Sequence, residues 1–98
     1  MRIIAIKALR EHWQKPGRAD SREQLLSWYA MVEAAEWKGP AEIKDQYRSA
    51  SFVGNRVVFN ICGNKYRLVV YVNYAGGRVY VRFVGTHAEY DRINVKEV

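Results

Sequence analysis

The chain has one cysteine, two histidines and two prolines in 98 residues, and the scarcity of the first two removes whole classes of function. Cys62 has no partner for an internal disulfide, so nothing points to an oxidising compartment. One Cys and two His, with His12 far from His87, make no metal-ligand cluster, and neither a metal nor another cofactor is expected. No apolar run approaches the roughly 18 residues that a membrane helix needs. The apolar patch before Lys7 is also too short for a secretory signal. A cytoplasmic protein with no membrane partner is the expectation. There is no G-x-S-x-G elbow, and the "AGG" at 75–77 joins two strands without the lysine of a phosphate loop.

Acidic residues are scarce in one half only. Residues 1–46 carry eight Lys/Arg against seven Asp/Glu, whereas residues 47–98 carry eight against three. The overall charge of +6 is therefore concentrated where the strands are expected, which favours a polyanionic partner, nucleic acid first. A hydrophobic content of 49%, with three Trp, seven Tyr and three Phe, predicts one folded domain over 1–98.

The first half reads as helical. Residues 1–6 suit a short strand or a helix entry, a helix is expected over about 7–14, and Pro16-Gly17 breaks it. Asp20 and Glu23 have the spacing of a capping box ahead of an apolar stripe of Leu25, Trp28 or Tyr29, Val32 and Ala35. "KGP" at 38–40 would end that second helix, and "AEIKDQY" adds a turn or two. Trp13, Trp28 and Trp37 are expected in helix packing or the core.

From about residue 50 the period changes. "RVVFNIC", "KYRLVVYVN" and "RVYVRFVG" are rich in β-branched and aromatic residues. Two-residue loops at Gly63-Asn64 and Gly76-Gly77 would pair Cys62 with Lys65 and Asn60 with Arg67 in the first hairpin. In the second they would pair Ala75 with Arg78, Asn73 with Tyr80, Tyr71 with Arg82, and Arg67 with Thr86. Alternation then buries Val57, Phe59, Ile61, Tyr66, Leu68, Val70, Val72, Val79, Val81 and Phe83. It sends Asn60, Lys65, Arg67, Tyr71, Asn73, Arg78, Tyr80 and Arg82 to the other side, a flat or concave basic surface with tyrosines between the cations. Cys62 would share that side.

The last strand runs into "THAEYD" at 86–91, where Thr86 and Glu89 form a second capping box. That box accounts for neither His87 nor Tyr90, which fall on one face of the short helix, beside Arg67. Metal-free RNA cleavage needs a base for the 2′-hydroxyl, positive charge on the phosphorane-like transition state, and an acid for the 5′-oxygen. Histidine ordinarily titrates near about 6.5 and serves the proton steps. Arginine holds phosphate oxygens in pairs. Tyrosine stacks on bases or transfers a proton beside cations. His87, Tyr90, Arg67, Arg82 and Lys65 supply every part. The same residues also suit a non-catalytic RNA-binding or inhibitor domain, since folds do not fix functions.

The run "VVFNICGNKYRLVVYVNYAGGRVYVRFVGTHAEYDRI" resembles the HigB-type toxins of bacterial toxin–antitoxin pairs, relatives of the RelE-like messenger-RNA interferases. The likeness is strongest over 57–93, with "FNICGNKYRL" and "THAEYD" its most specific parts, and extends loosely to nearly the whole chain. It implies a small α+β domain of RelE/ParE-like type, with N-terminal helices packed on a mainly antiparallel sheet and a short C-terminal helix. It implies endonucleolytic cleavage of messenger RNA on the ribosome, in the A site, leaving a 2′,3′-cyclic phosphate. Arg67, Arg82, His87 and Tyr90 match the catalytic positions. Asn60, Asn64 and Lys65 lie in the matching turn segment, and Asp91 completes "EYD"; with Tyr71, Arg78 and Tyr80, the residues Asn60, Asn64 and Asp91 are the RNA-binding candidates. Cys62 stands where the family pattern has glycine, so a local change at the turn is expected. The resemblance further implies a cognate antitoxin, typically a helical DNA-binding protein.

Overall fold

The computed structural model describes all residues 1–98 and has an α+β architecture. Three helices, α1 (Ile6–Gln14), α2 (Arg22–Ala34) and α3 (Pro40–Gln46), cover one face of a five-stranded sheet. Its strands are β1 (Arg2–Ile4), β2 (Ser51–Val53), β3 (Arg56–Ile61), β4 (Tyr66–Asn73) and β5 (Arg78–Thr86), and α4 (His87–Tyr90) follows at once. The spatial order is β1-β5-β4-β3-β2, with only the β1–β5 pair parallel. The first strand thus returns beside the last, and Ala5, at φ 79°, turns the chain sharply from β1 into α1.

The core sits between the helices and the strand residues of one face. Leu9, Leu25, Trp28, Val32 and Ile43 from the helices meet Val57, Phe59, Leu68, Val70 and Val79. Phe59 lies at its centre, edge-on to Trp28 at 5.5 Å and to Tyr47 at 5.1 Å and stacked on Trp37 at 6.3 Å, geometries that suit the ring quadrupole. Trp28 and Trp37 are core residues, as expected. Trp13 is half-buried, with the Arg22 guanidinium 5.9 Å from its ring.

The boundaries of the helical half differ from the sequence reading in two places. The second helix ends at Ala34, four residues before Lys38, because the chain turns extended at Ala35 to carry Trp37 into the core. Asp20 does not cap it. Residues Ala19–Ser21 form a single 3₁₀ turn, no side chain caps α2, and the Asp20 carboxylate is engaged elsewhere. The edge strand β2 lay outside the expected elements; it is three residues long and pairs only with β3.

The first hairpin has the expected register: Asn60 faces Arg67, and the Lys65 N–H donates to the Cys62 carbonyl around Gly63-Asn64. The second does not. Its loop is four residues, 74–77, so Asn73 pairs with Arg78 and Tyr71 with Tyr80. Of its two glycines only Gly77 has a positive φ, 66°, so no two-glycine turn forms. Instead the Gly77 N–H donates to the Tyr74 carbonyl, and the Gly76 N–H to Asn73 Oδ1. This frees Tyr74 to pack against the core.

A bulge then moves the register again. Val70 pairs with Val81 but Val69 with Phe83, leaving Arg82 as the extra residue. Beyond it Arg67 faces Gly85, and Thr86 faces Tyr66. Phe83, expected in the core, therefore joins Val69 on the opposite face, and Val84 takes the core side. The loop error of two residues leaves every side chain on its expected face; the bulge, one residue, does not.

Candidate active site

The candidate residues gather at the end of the sheet where the β3–β4 turn meets the β5–α4 junction. Two local devices build this end. Thr86 and Glu89 form the expected capping box, with the Glu89 N–H donating to Thr86 Oγ1 at 3.2 Å and the Thr86 N–H to Glu89 Oε1 at 2.9 Å. The His87 N–H donates to the Lys65 carbonyl at 3.2 Å, which ties the start of α4 to the turn.

On this frame Arg67 donates through Nη1 to the Asn64 carbonyl at 3.0 Å and through Nη2 to Asn64 Oδ1 at 3.2 Å. Its guanidinium carbon stands 6.0 Å from the centre of the Tyr90 ring, within cation–π reach. One turn earlier, His87 Nδ1 is 3.0 Å from Asp91 Oδ2. His87, Tyr90, Arg67, Asn64 and Asp91 are therefore neighbours, with Asn60 across the strand from Arg67.

Arg82 sits further along β5, exposed at the bulge, its guanidinium 5.6 Å from the Tyr80 ring. Tyr80 and Tyr71 pair across the strands with ring centres 6.0 Å apart, so cations and aromatic rings do alternate on this side. Arg78 lies at the far end of β5 by the second hairpin, apart from the cluster.

Lys65 and Cys62 are not on the outer face. Lys65 reaches around the end of the sheet to an ion pair with Asp20, whose other oxygen accepts from the Tyr66 hydroxyl at 2.6 Å. The ammonium holds the Asp20 carboxyl below its usual range, with Tyr66 adding to the effect, and Asp20 in turn raises Lys65. Cys62 packs against the core, at φ 54°, because its N–H is drawn to Gln24 Oε1 of α2 at 2.6 Å. Burial first, then Asp20, pushes its thiol up, away from nucleophilic chemistry.

The outer face is not an open sheet either. The Arg56 fork donates to the Val98 carbonyl at 3.0 and 2.6 Å, and Lys96 lies beside Gly54. The segment after α4 thus runs back from Arg67 to Arg56. Between these points Val58 and Val69 are buried although they lie outside the core cluster. Residues 91–98 thus close over the middle of the face and leave His87 and Arg82 exposed.

Behind the cluster stand residues that the sequence reading missed. Arg18 makes a two-pronged pair with Glu89, at 2.8 and 2.9 Å, which with the Thr86 N–H lowers the Glu89 carboxyl to about 2. His12 is buried, edge-on to Tyr66 at 4.8 Å, with neither ring nitrogen partnered; burial, then the Arg18 and Lys15 charges, bring it down to about 4. No spacing rule could have joined Arg18 to a residue 71 positions away.

Residues 21–93 match the model of the HigB toxin family, described as the RelE-like toxic component of a toxin–antitoxin system. Over 94 residues the chain is 29% identical to the "mRNA interferase toxin HigB" of Escherichia coli K12, covering 93% of this chain and 88% of that protein. Over 72 residues it is 26% identical to the "mRNA interferase HigB" of Escherichia coli O6:H1 (strain CFT073), covering 70% of each. No helix is long and apolar enough to cross a membrane.

Proposed function

The chain belongs to the HigB family of RelE-like toxins, and from that premise we propose that it is an endoribonuclease that cleaves messenger RNA. The observation that carries this reading is the juxtaposition of Arg67 with Tyr90 on α4, one turn from a His87–Asp91 pair. Binding phosphate would need only the cations; the histidine–carboxylate pair adds a means of moving protons.

In this reading Asp91 accepts from His87 Nδ1–H and fixes the tautomer. The lone pair of Nε2 then takes the proton of a 2′-hydroxyl. The freed 2′-oxygen attacks the adjacent phosphorus, and Arg67 and Arg82 stabilise the charge on the non-bridging oxygens. Tyr90, beside the Arg67 cation, protonates the departing 5′-oxygen. The products are a 2′,3′-cyclic phosphate and a 5′-hydroxyl, and the three tasks are met by side chains without a metal. Lys65, occupied by Asp20, is assigned to the neighbouring phosphate rather than to the proton steps. Tyr71, Tyr80, Asn60, Asn64 and Arg78 extend the path for bases and phosphates.

The toxin acts in the cytoplasm on messages held in the ribosomal A site, and a cognate antitoxin of the helical, DNA-binding kind restrains it. Primer extension on a translated message, with wild type and His87→Ala, with and without ribosomes and with EDTA, tests the whole reading. Cuts within codons that require ribosomes, persist in EDTA and vanish in His87→Ala are expected. Growth arrest by a folded protein that makes no cuts would send the search to another target.

A further inference from the structure

The segment between α1 and α2, residues 15–21, and the first turn of α2 touch both halves of the candidate site from behind. Gln24 takes the Cys62 N–H, Asp20 takes Lys65 and the Tyr66 hydroxyl, and Arg18 takes Glu89. The first two contacts hold the β3–β4 turn that carries Asn64 and leads into Arg67. The third holds α4, which carries His87 and Tyr90. We propose that Arg18 is a positioning residue for RNA cleavage, whose fork on Glu89 fixes α4 so that His87 and Tyr90 stand at Arg67.

The geometry assigns this role to Arg18 and not to the capping box alone. A four-residue helix has a single turn and little stability of its own. The capping box sets its backbone, and the pairing of Thr86 with Tyr66 and the His87 N–H on the Lys65 carbonyl fix where it starts, but among these contacts only Arg18 holds the body of the turn, through Glu89. Arg18 comes from outside, is mostly covered at 19% side-chain exposure, and donates two parallel bonds, which define a direction as well as a distance. Room for the pair is made at Gly85. A Cβ there would lie 2.6 Å from Glu89 Oε1 and 2.7 Å from the Phe83 ring, so the strand before α4 admits the carboxylate because its next-to-last residue is glycine. Arg18 and Glu89 bond to each other and Glu89 to Thr86, with no hydrogen bond to His87, Tyr90 or Arg67, so Arg18 acts through Glu89 and not on the substrate.

This inference rests on the nuclease reading, and its test separates the two. Cleavage of an RNA substrate by Arg18→Gln, Arg18→Lys, Glu89→Gln and the Arg18→Gln/Glu89→Gln double variant is compared with wild type. Affinity for a non-cleavable 2′-O-methyl RNA and the ring resonances of His87 and Tyr90 are measured alongside. Loss of alignment by about 1 Å costs on the order of 10²-fold in rate. Arg18→Gln should therefore lose about 30- to 100-fold in kcat, with KM and 2′-O-methyl RNA affinity within about threefold. Arg18→Lys, which keeps the charge but not the fork, should recover only part. The double variant should be no slower than Arg18→Gln, and the two ring resonances should move in every variant. Unchanged kcat in folded Arg18→Gln, a loss confined to KM and affinity, or losses that multiply in the double variant would each overturn the proposal. If the wild type cleaves no RNA, the nuclease reading falls by itself. Unmoved His87 and Tyr90 resonances in Arg18→Gln would then still refute the positioning.

Discussion

The β3–β4 and β4–β5 turns of this sheet each carry a glycine and are held in opposite ways. The turn at 62–65 is clasped from outside by Gln24, Asp20 and the first residue of α4. The turn at 74–77 is closed largely by itself, through Asn73 Oδ1 and the Tyr74 carbonyl, with one outside bond from the Arg2 N–H to the Gly77 carbonyl. Both place a glycine at positive φ, Gly63 at 65° and Gly77 at 66°. The first also keeps a cysteine at positive φ, Cys62 at 54°. A strained residue persists where neighbouring elements over-determine the backbone. The end of the sheet tied by contacts far apart in sequence is the end that carries the candidate chemistry.

The largest effect that would sharpen this contrast lies in two arginines. Arg67→Ala should lower the cleavage rate by about 10²- to 10³-fold, as loss of a preorganised donor does. Arg78→Ala, at the other end, should leave kcat alone and reduce the slope of log affinity against log salt by about one contact. Equal kinetic losses in the two would erase the distinction between the ends.

Acid should loosen the clasped end first. His12 titrates near 4 in the fold against an ordinary 6.5, so the unfolded chain binds the extra proton between these values. Stability should therefore fall as pH drops from about 6.5 to 4. Glu89, lowered from 4.5 to about 2, contributes stability above 4.5 that is lost as pH falls from there towards 2. Urea melts across pH should show both slopes, and His12→Leu should flatten the upper one.

Next come the matched glycines. Gly63→Ala and Gly77→Ala meet no atom within 4 Å, so each should cost about 1–2 kcal/mol of left-handed strain in denaturant melts. Only Gly63→Ala should also slow cleavage. Gln24→Leu removes the acceptor of the Cys62 N–H and should cost about 1 kcal/mol, with hydrogen exchange quickening at the 62–65 turn and not at 74–77. The smallest effect is Cys62→Gly, which relieves the positive φ and gives up some packing; melts should show a gain below about 1 kcal/mol.

Much of this was legible along the chain. The change from helical to alternating period near residue 50, the Thr86–Glu89 box, the first hairpin's register and the separation of Arg67, Tyr71, Arg78 and Tyr80 from the core follow from neighbours a few residues apart. Side-chain alternation even survived the wrong loop length at 74–77, since a slip of two preserves the faces. The bulge at Arg82 was not legible, because an extra residue leaves no mark on composition, and with it Phe83 changed sides. The capture of Lys65 and Asp20 by each other, the hold of Gln24 on Cys62 and the covering of the outer face by residues 91–98 were equally hidden. The sequence by itself determined most of the elements, most of their faces and the candidate site residues, because propensity, capping and alternation are properties of short stretches. Which of those residues meet, and that Arg18 stands behind α4, was decided only by the tertiary structure, because such contacts join positions 38 to 71 apart whose distance depends on how whole elements pack.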